Sequence, residues 1–434
     1  MRCGIGILAL LGATIPAIAS GQETGGSLAG AWTGVWVRAA DTLTVTMRFG
    51  EQDGAWSGSF DSERLRVEGI PFQEIEVVPP RVIVRLVGDA TTTVFTGRVE
   101  GDSLTGILRE GEDPGWFALA RDTAATPDLC EEEIRFRNGE VELAGTLVLP
   151  RGTGPHPAVV FLHGSGAEGR WASRFLAGRL ARDGVAALIW DKRGVGGSTG
   201  WWPEATFEDL AADAAAAIAF VRTRPEIDPA RVGIHGHSQG GTIAPLVAAR
   251  SGADFVIASA AAGLPMADVE VFSVGNSIGL ASLPPEEAAL ARAYVEALVD
   301  VAYRGAPAAE LEAAAERARG HAWYFDPPGP DDPYWMFSRR FAHFDPLVWW
   351  GQVEVPVLLV YGSKDERVPV EASRAAIVGA IESAGKAPVD VRVFDGGDHT
   401  FRIRRPDDVW PRTVEGYPDA ILEWLRKVMY FSGS

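Results

Sequence analysis

The chain has 434 residues, 47% of them hydrophobic and 9% aromatic, which excludes a disordered protein and calls for two or three folded units. A net charge of −18 without a local basic patch argues against nucleic acid as a partner. Of two cysteines, Cys3 lies in an apolar leader and Cys130 would be alone after its removal, so the mature chain has no intramolecular disulfide.

Residues 1–20, "MRCGIGILALLGATIPAIAS", carry one positive charge, an apolar run and small residues ending Ala17-Ile18-Ala19. That is the pattern of a cleaved export signal, too short and too early for a membrane span, and it places the protein in the periplasm or outside the cell. Residues 28–125 read as nine short runs of alternating polarity, from "WTGVWVRA" to "GWFALAR", separated by Gly, Asp and Pro. Period-two alternation with turns between predicts a small antiparallel barrel or sandwich without helices. The stretch from Asp122 to Asp128, "DTAATPD", reads as a linker.

From residue 131 to 430 the pattern changes. Two strand-like runs, "EIRFRN" and "VELAGTLVLP", precede six mostly uninterrupted apolar runs: "AVVFLHG", "GVAALIWD", "RVGIHGH", "FVIASAA", "VPVLLVYG" and "VDVRVFDG". Helical patterns stand between or after them at 171–183, 206–224, 239–251, 370–384 and 411–428. Unbroken apolar strands alternating with helices predict an α/β fold with a doubly wound, mainly parallel sheet covered on both faces. Residues 264–352 interrupt the rhythm with Ala- and Glu-rich helices and then an aromatic, Pro-rich segment, so they are expected to form a cap inserted over the sheet.

The pattern G-x-S-x-G occurs three times, around Ser198, Ser238 and Ser277. A nucleophile elbow needs a strand that stops abruptly, a serine on a strained turn and a helix that starts at once. Only Ser238 has all three: "RVGIHG" precedes it and "QGGTIAPLVAARSG" follows, a helix closed by Gly252 and carrying Pro245 in its second turn. Ser198 sits in a glycine loop far from the next helix, and Ser277, which could follow a strand, is succeeded by the helix-breaking "LASLPPEE". A serine needs a base and an orienting acid. His399, in "FDGGDHTF", is the one histidine downstream of Asp365, and Asp365 itself, in "GSKDERVPV", leaves the end of an apolar strand. Asp268, Asp395 and Asp398 are alternative acids, Asp268 the strongest of them. His235 and His237 alternate on one strand but lack a matched carboxylate or cysteine set, so they are read as structural rather than as metal ligands. The backbone N–H groups of Ser165, in "VVFLHGSGAEG", and of Gln239, directly after the serine, are the candidate oxyanion hole.

The motifs "HGSG", "DKRGVGGSTG", "GHSQGGTIAP", "GSKDERVP" and "GGDHTF" resemble, in order and spacing over residues 131–430, the α/β-hydrolase superfamily. Within it they are similar to the bacterial branch related to dienelactone hydrolases, cinnamoyl esterases and prolyl oligopeptidase catalytic domains. The resemblance implies hydrolysis of a small-molecule ester through a serine ester, with Ser238 as nucleophile, His399 as base, Asp365 as orienting acid and no cofactor. It also assigns Asp191 and Arg193 a structural salt-bridging loop. A carboxylesterase is preferred; the alternatives are an exopeptidase of the prolyl oligopeptidase or proline iminopeptidase type and a non-catalytic binding protein on the same fold. Aromatic residues from Trp201 to Trp350, in the glycine loop and the end of the cap, either line an acyl pocket or hold cap to sheet. The N-terminal domain resembles no family specifically, although its "GAWTGVW" opening and "GRVEGDSLTGIL" repeat are similar to small calycin-like barrels; it is expected to be a structural appendage or homodimer surface, against a binder of lipid or polymer near the site.

Overall fold

The computed structural model describes residues 27–88, 91–124 and 129–431. The expected export signal and residues 125–128 of the expected linker lie outside them.

Nine antiparallel strands form the first sheet: β1 (Gly30–Arg38), β2 (Asp41–Gln52), β3 (Ala55–Ser62), β4 (Val67–Pro71), β5 (Glu74–Val78), β6 (Arg81–Val87), β7 (Thr92–Glu100), β8 (Ser103–Glu110) and β9 (Asp113–Asp122). They follow the order β4-β3-β2-β1-β9-β8-β7-β6-β5, so one sheet curls into an open barrel and a two-layer sandwich is excluded. Alternation along each strand sends one set of side chains inward. In β2, Leu43, Val45, Met47 and Phe49 are buried while Thr42 and Thr44 are exposed. The inside is filled by Trp32, Trp36, Phe60, Phe95 and Phe117, a packed core in place of the ligand-holding interior of a calycin.

The second sheet has eight strands: β10 (Cys130–Asn138), β11 (Val141–Leu149), β12 (His156–Leu162), β13 (Ala186–Trp190), β14 (Ile227–His237), β15 (Val256–Ser259), β16 (Val357–Gly362) and β17 (Val389–Phe394). Their order is β10-β11-β13-β12-β14-β15-β16-β17, antiparallel in the first two pairings and parallel beyond them. The uninterrupted apolar runs have a direct cause. In β12, Ala158, Val160 and Leu162 enter the core on one face, and Val159 and Phe161 the core on the other. Helices α1 (Arg174–Arg182), α2 (Phe207–Arg222) and α3 (Gln239–Ser251) alternate with these strands. Thr206 and Asp209 form a reciprocal capping box that starts α2, and Gly252, with φ 61°, closes α3, which continues through Pro245 without a break.

Between β15 and β16 lie five α-helices: α4 (Met266–Ser277), α5 (Pro285–Val299), α6 (Ala308–Ala318), α7 (Pro333–Phe341) and α8 (Pro346–Trp350). Ser277 ends a helix, not a strand. Helix α9 (Val370–Ala384) fills its predicted span, but α10 (Tyr417–Phe431) starts six residues later than the pattern from 411 suggests. Before it the chain makes a short hairpin, β18 (Arg402–Ile403) with β19 (Arg412–Thr413), and Val409 and Trp410 between the two strands pack into the core of the first sheet rather than along a helix face. Among the described residues no helix is long and apolar enough to cross a membrane.

Candidate active site

Strand β14 ends at His237 and α3 begins at Gln239, leaving Ser238 alone on the turn with φ 55° and ψ −117°. A non-glycine residue holds that conformation only where its surroundings over-determine it. Here Ser238 N donates to Ser259 O at 2.9 Å, and Ser238 O accepts from Thr242 Oγ1 at 3.0 Å. Glycines make the approach of helix to strand achievable. A Cβ on Gly236 would lie 2.3 Å from the Gly240 carbonyl, and one on Gly240 would lie 2.7 Å from Leu162 O.

His399 and Asp365, on the loops after β17 and β16, converge on this turn. His399 Nε2 is 2.9 Å from Ser238 Oγ, and His399 Nδ1 is 2.9 Å from each Asp365 carboxylate oxygen. The Asp365 side chain is fully buried, and its Oδ1 also accepts the N–H groups of Arg367 and Val368, both at 2.8 Å. With its acceptors so occupied, Asp365 favours the His399 tautomer that carries the proton on Nδ1 and leaves Nε2 free to take one from the serine. Main-chain contacts position His399 as well: its N–H faces Glu366 Oε2 at 3.2 Å, and its carbonyl accepts from His237 Nε2 at 2.9 Å.

The other acids are engaged elsewhere. Asp268 pairs with Arg304 at 2.7 Å, Asp395 accepts from Ser363 Oγ at 3.1 Å, and Asp398 folds back on the N–H groups of Thr400 and Arg402. Ser198 is buried, donating to Asp191 O at 2.6 Å and accepting from Ala144 N at 2.9 Å. Ser277 is exposed and donates to Val274 O within its own helix. His235 is buried with Nε2 3.0 Å from Ser259 Oγ, and burial pushes its pKa down to about 3. Burial, and then the neighbouring His399, push His237 down to about 4. Among the described residues no three His, Cys, Asp or Glu side chains are grouped to hold a metal ion. Asp191 and Arg193 are each salt-bridged, to different partners: Asp191 to Arg170 at 3.0 Å and Arg193 to Asp213 at 2.7 Å.

Gln239, as the first residue of α3, has an N–H with no carbonyl four residues earlier in the helix. Ser165 lies exposed on the loop after β12, and the residue that shapes this loop is one that sequence reasoning overlooked. Lys192 is 1% exposed, and its Nζ donates to Gly164 O, to Gly166 O at 2.8 Å and to Gln239 Oε1 at 3.3 Å. It therefore grips the carbonyls on either side of Ser165 and ties both candidate oxyanion elements together. Burial pushes Lys192 down to about 8, opposed by the nearby Glu168, which also accepts from Gly164 N. The available signal was a lysine between two residues already recognised as loop-forming, in "DKRG".

The aromatic residues divide. Trp323 and Trp350 are buried in apolar cores, and Phe341 stacks on Phe207 with centroids 3.8 Å apart, joining α7 to α2. Trp202 stands between sheet and cap, edge-on to Phe337 at 6.2 Å and with the Lys192 ammonium 5.7 Å from its ring.

The family described as serine aminopeptidase, S33, matches residues 153–294, which contain the strand, turn and helix around Ser238. The chain has the α/β-hydrolase fold and over that stretch is similar to this family. This hydrolase is similar to Esterase EstD of Thermotoga maritima, with 26% identity over 325 residues that cover 71% of this chain and 70% of that one. Among solved structures it is similar to the Pyrococcus furiosus esterase Pf2001, at 18% identity and a TM-score of 0.44, over 69% of this chain and 92% of that one. Est1E of Butyrivibrio proteoclasticus, solved with ferulic acid bound, has 19% identity and a TM-score of 0.43 over 69% of this chain and 98% of its own.

Proposed function

We propose that the protein is a serine hydrolase that cleaves carboxylic esters through an acyl-enzyme intermediate. The observation that carries this reading is the single imidazole of His399 bonded at 2.9 Å on one side to Ser238 Oγ and on the other to a buried carboxylate. Ser238 Oγ attacks the ester carbonyl carbon while its proton passes to His399 Nε2. The imidazolium, held by Asp365, then protonates the leaving alkoxide, and an ester bond to Ser238 remains. Water attacks that ester with His399 again as base, releasing the acid and restoring the serine. The tetrahedral oxyanion of each half-reaction is stabilised by the N–H groups of Ser165 and Gln239, where loss of one donor typically costs about 2.7–4 kcal/mol of barrier. No step requires a cofactor.

The esterase reading draws support from the curated relative EstD. The name of the matching family favours an exopeptidase as the second reading. Hydrolysis of p-nitrophenyl esters compared with aminoacyl and prolyl anilides separates them, and a preference for the anilides rejects the esterase. Fluorophosphonate labelling that is lost in Ser238→Ala and kept in Ser198→Ala and Ser277→Ala supports the nucleophile assignment; an unlabelled wild type would favour a binding protein. The enzyme acts outside the cytoplasm on the reading of residues 1–20 as an export signal, which cell fractionation tests.

A further inference from the structure

After His399 the chain does not run straight into α10. It passes through Thr400 and the buried Phe401, whose ring stacks on Tyr417 at 4.0 Å, and enters the hairpin β18. Residues 404–411 then cross to the nine-stranded sheet before returning through β19. There Trp410, 5% exposed, fills the end of the barrel core, edge-on to Trp36 at 5.0 Å, with Nε1 donating to Glu110 at 3.2 Å. The backbone on either side is fastened too. Asp41 accepts the N–H groups of Val409 and Trp410 at 2.9 and 3.2 Å, and Arg64 bridges Asp41, Asp408 and Trp410 O.

A second contact reaches closer to the chemistry. The turn joining β3 to β4 sends Arg66 into the hydrolase unit, where Nη2 donates to Thr400 O and the guanidinium lies 5.2 Å from the centre of the Tyr417 ring. Arg402 answers by donating to Leu65 O at 3.3 Å. The parallel-sheet unit itself supplies partners for the N–H and the carbonyl of His399, through Glu366 and His237. The next carbonyl along the chain, and the far end of the strap, are held by the other sheet.

We infer that the nine-stranded sheet is a working part of the active site, holding the His399 loop in place with Arg66 as a positioning residue and Trp410 as the anchor. The inference rests on the triad reading above and deepens it. His399 must satisfy Ser238 and Asp365 at once, and a misplacement of about 1 Å in such a constellation can cost on the order of 100-fold in rate. Arg66 restrains the residue directly after the imidazole, and the strap cannot shift without pulling Trp410 out of the barrel core. The domain therefore has a task that neither an appendage nor a polymer-binding module would have.

The test uses the full-length enzyme and compares kcat and KM for a p-nitrophenyl ester in wild type, Arg66→Met, Arg66→Lys and Arg179→Ala. Arg179 pairs with Glu63 at 3.1 Å across the same interface and with Asp419 of α10 at 2.8 Å, away from residues 399–402, so its variant controls for general loosening. Arg66→Met is expected to lower kcat roughly 10- to 100-fold with KM changed less than about twofold, Arg66→Lys to recover part of the loss, and Arg179→Ala to stay near wild type. Wild-type kcat in Arg66→Met, or an equal loss in Arg179→Ala, overturns the inference. Should Arg66→Met be recovered unfolded by circular dichroism, Arg66→Gln is judged by the same criteria. A wild type inert to both esters and fluorophosphonate would reject the triad reading; the imidazole NMR resonances of His399 then decide the positioning role, since identical resonances in wild type and Arg66→Met overturn it.

Discussion

Replacing Lys192 by methionine removes a buried cation while keeping most of the volume of its stem. Two carbonyls, Gly164 O and Gly166 O, lose their donor, at about 1–3 kcal/mol each if no other partner replaces it. The folded state is relieved, however, of the cost of burying the ammonium. A pKa lowered from 10.5 to about 8 corresponds to about 3 kcal/mol. The two contributions oppose each other, so the net change in folding stability is no more than about 3 kcal/mol. Activity has no such offset. If the loop relaxes so that the Ser165 N–H no longer faces the oxyanion, kcat falls by up to about 100- to 1000-fold. The same lysine makes a prediction about pH. Because its folded pKa lies below the unfolded value, the burial penalty is fully present below about pH 8 and is relieved as pH rises from about 8 toward 10.5, so this group makes stability increase over that window. Over the same window it loses the charge that grips the loop, so kcat decreases on the alkaline side. Stopped-time ester assays from about pH 6 to about 10, beside thermal melts of wild type and Lys192→Met, read both effects. A variant with wild-type kcat and an unchanged alkaline limb refutes the reasoning.

Asp365→Asn should leave the fold and KM close to wild type while kcat drops by roughly 10⁴-fold, because the amide favours the wrong imidazole tautomer; single-turnover kinetics check it. Gly236→Ala sets a Cβ 2.3 Å from the Gly240 carbonyl, so strand and helix must part, with about 1–3 kcal/mol of stability lost in denaturant titration and fluorophosphonate labelling slowed. Ser198→Ala deletes the hydroxyl that links Asp191 O to Ala144 N, and its signature is the reverse: about 1–3 kcal/mol of stability lost with labelling at Ser238 retained.

Much of the parallel-sheet unit was legible in the sequence because its information is local. Strands buried on both faces must be apolar without interruption, and a turn at φ 55° wedged between strand and helix must be flanked by residues without Cβ atoms, so β12, β14 and the elbow at Ser238 announce themselves. The nine runs of the first sheet are equally visible through their period of two. The cap was legible as an interruption and α5 and α6 as Ala- and Glu-rich runs, but α4, α7 and α8, which lack that composition, were not.

The choice among four aspartates, the bracket that Lys192 places around Ser165 and the grip of Arg66 and Trp410 on the His399 strap belong to the tertiary structure alone. Each joins residues far apart in the chain, Arg66 and Thr400 being 334 positions apart, and no periodicity or local propensity encodes a pairing across such a separation. The sequence by itself determined which segments become strands and most of those that become helices, and where a reactive serine could stand, because those follow from burial and backbone geometry over a few residues. What lies within hydrogen-bonding distance of that serine, and which domain keeps it there, was decided by how two sheets dock.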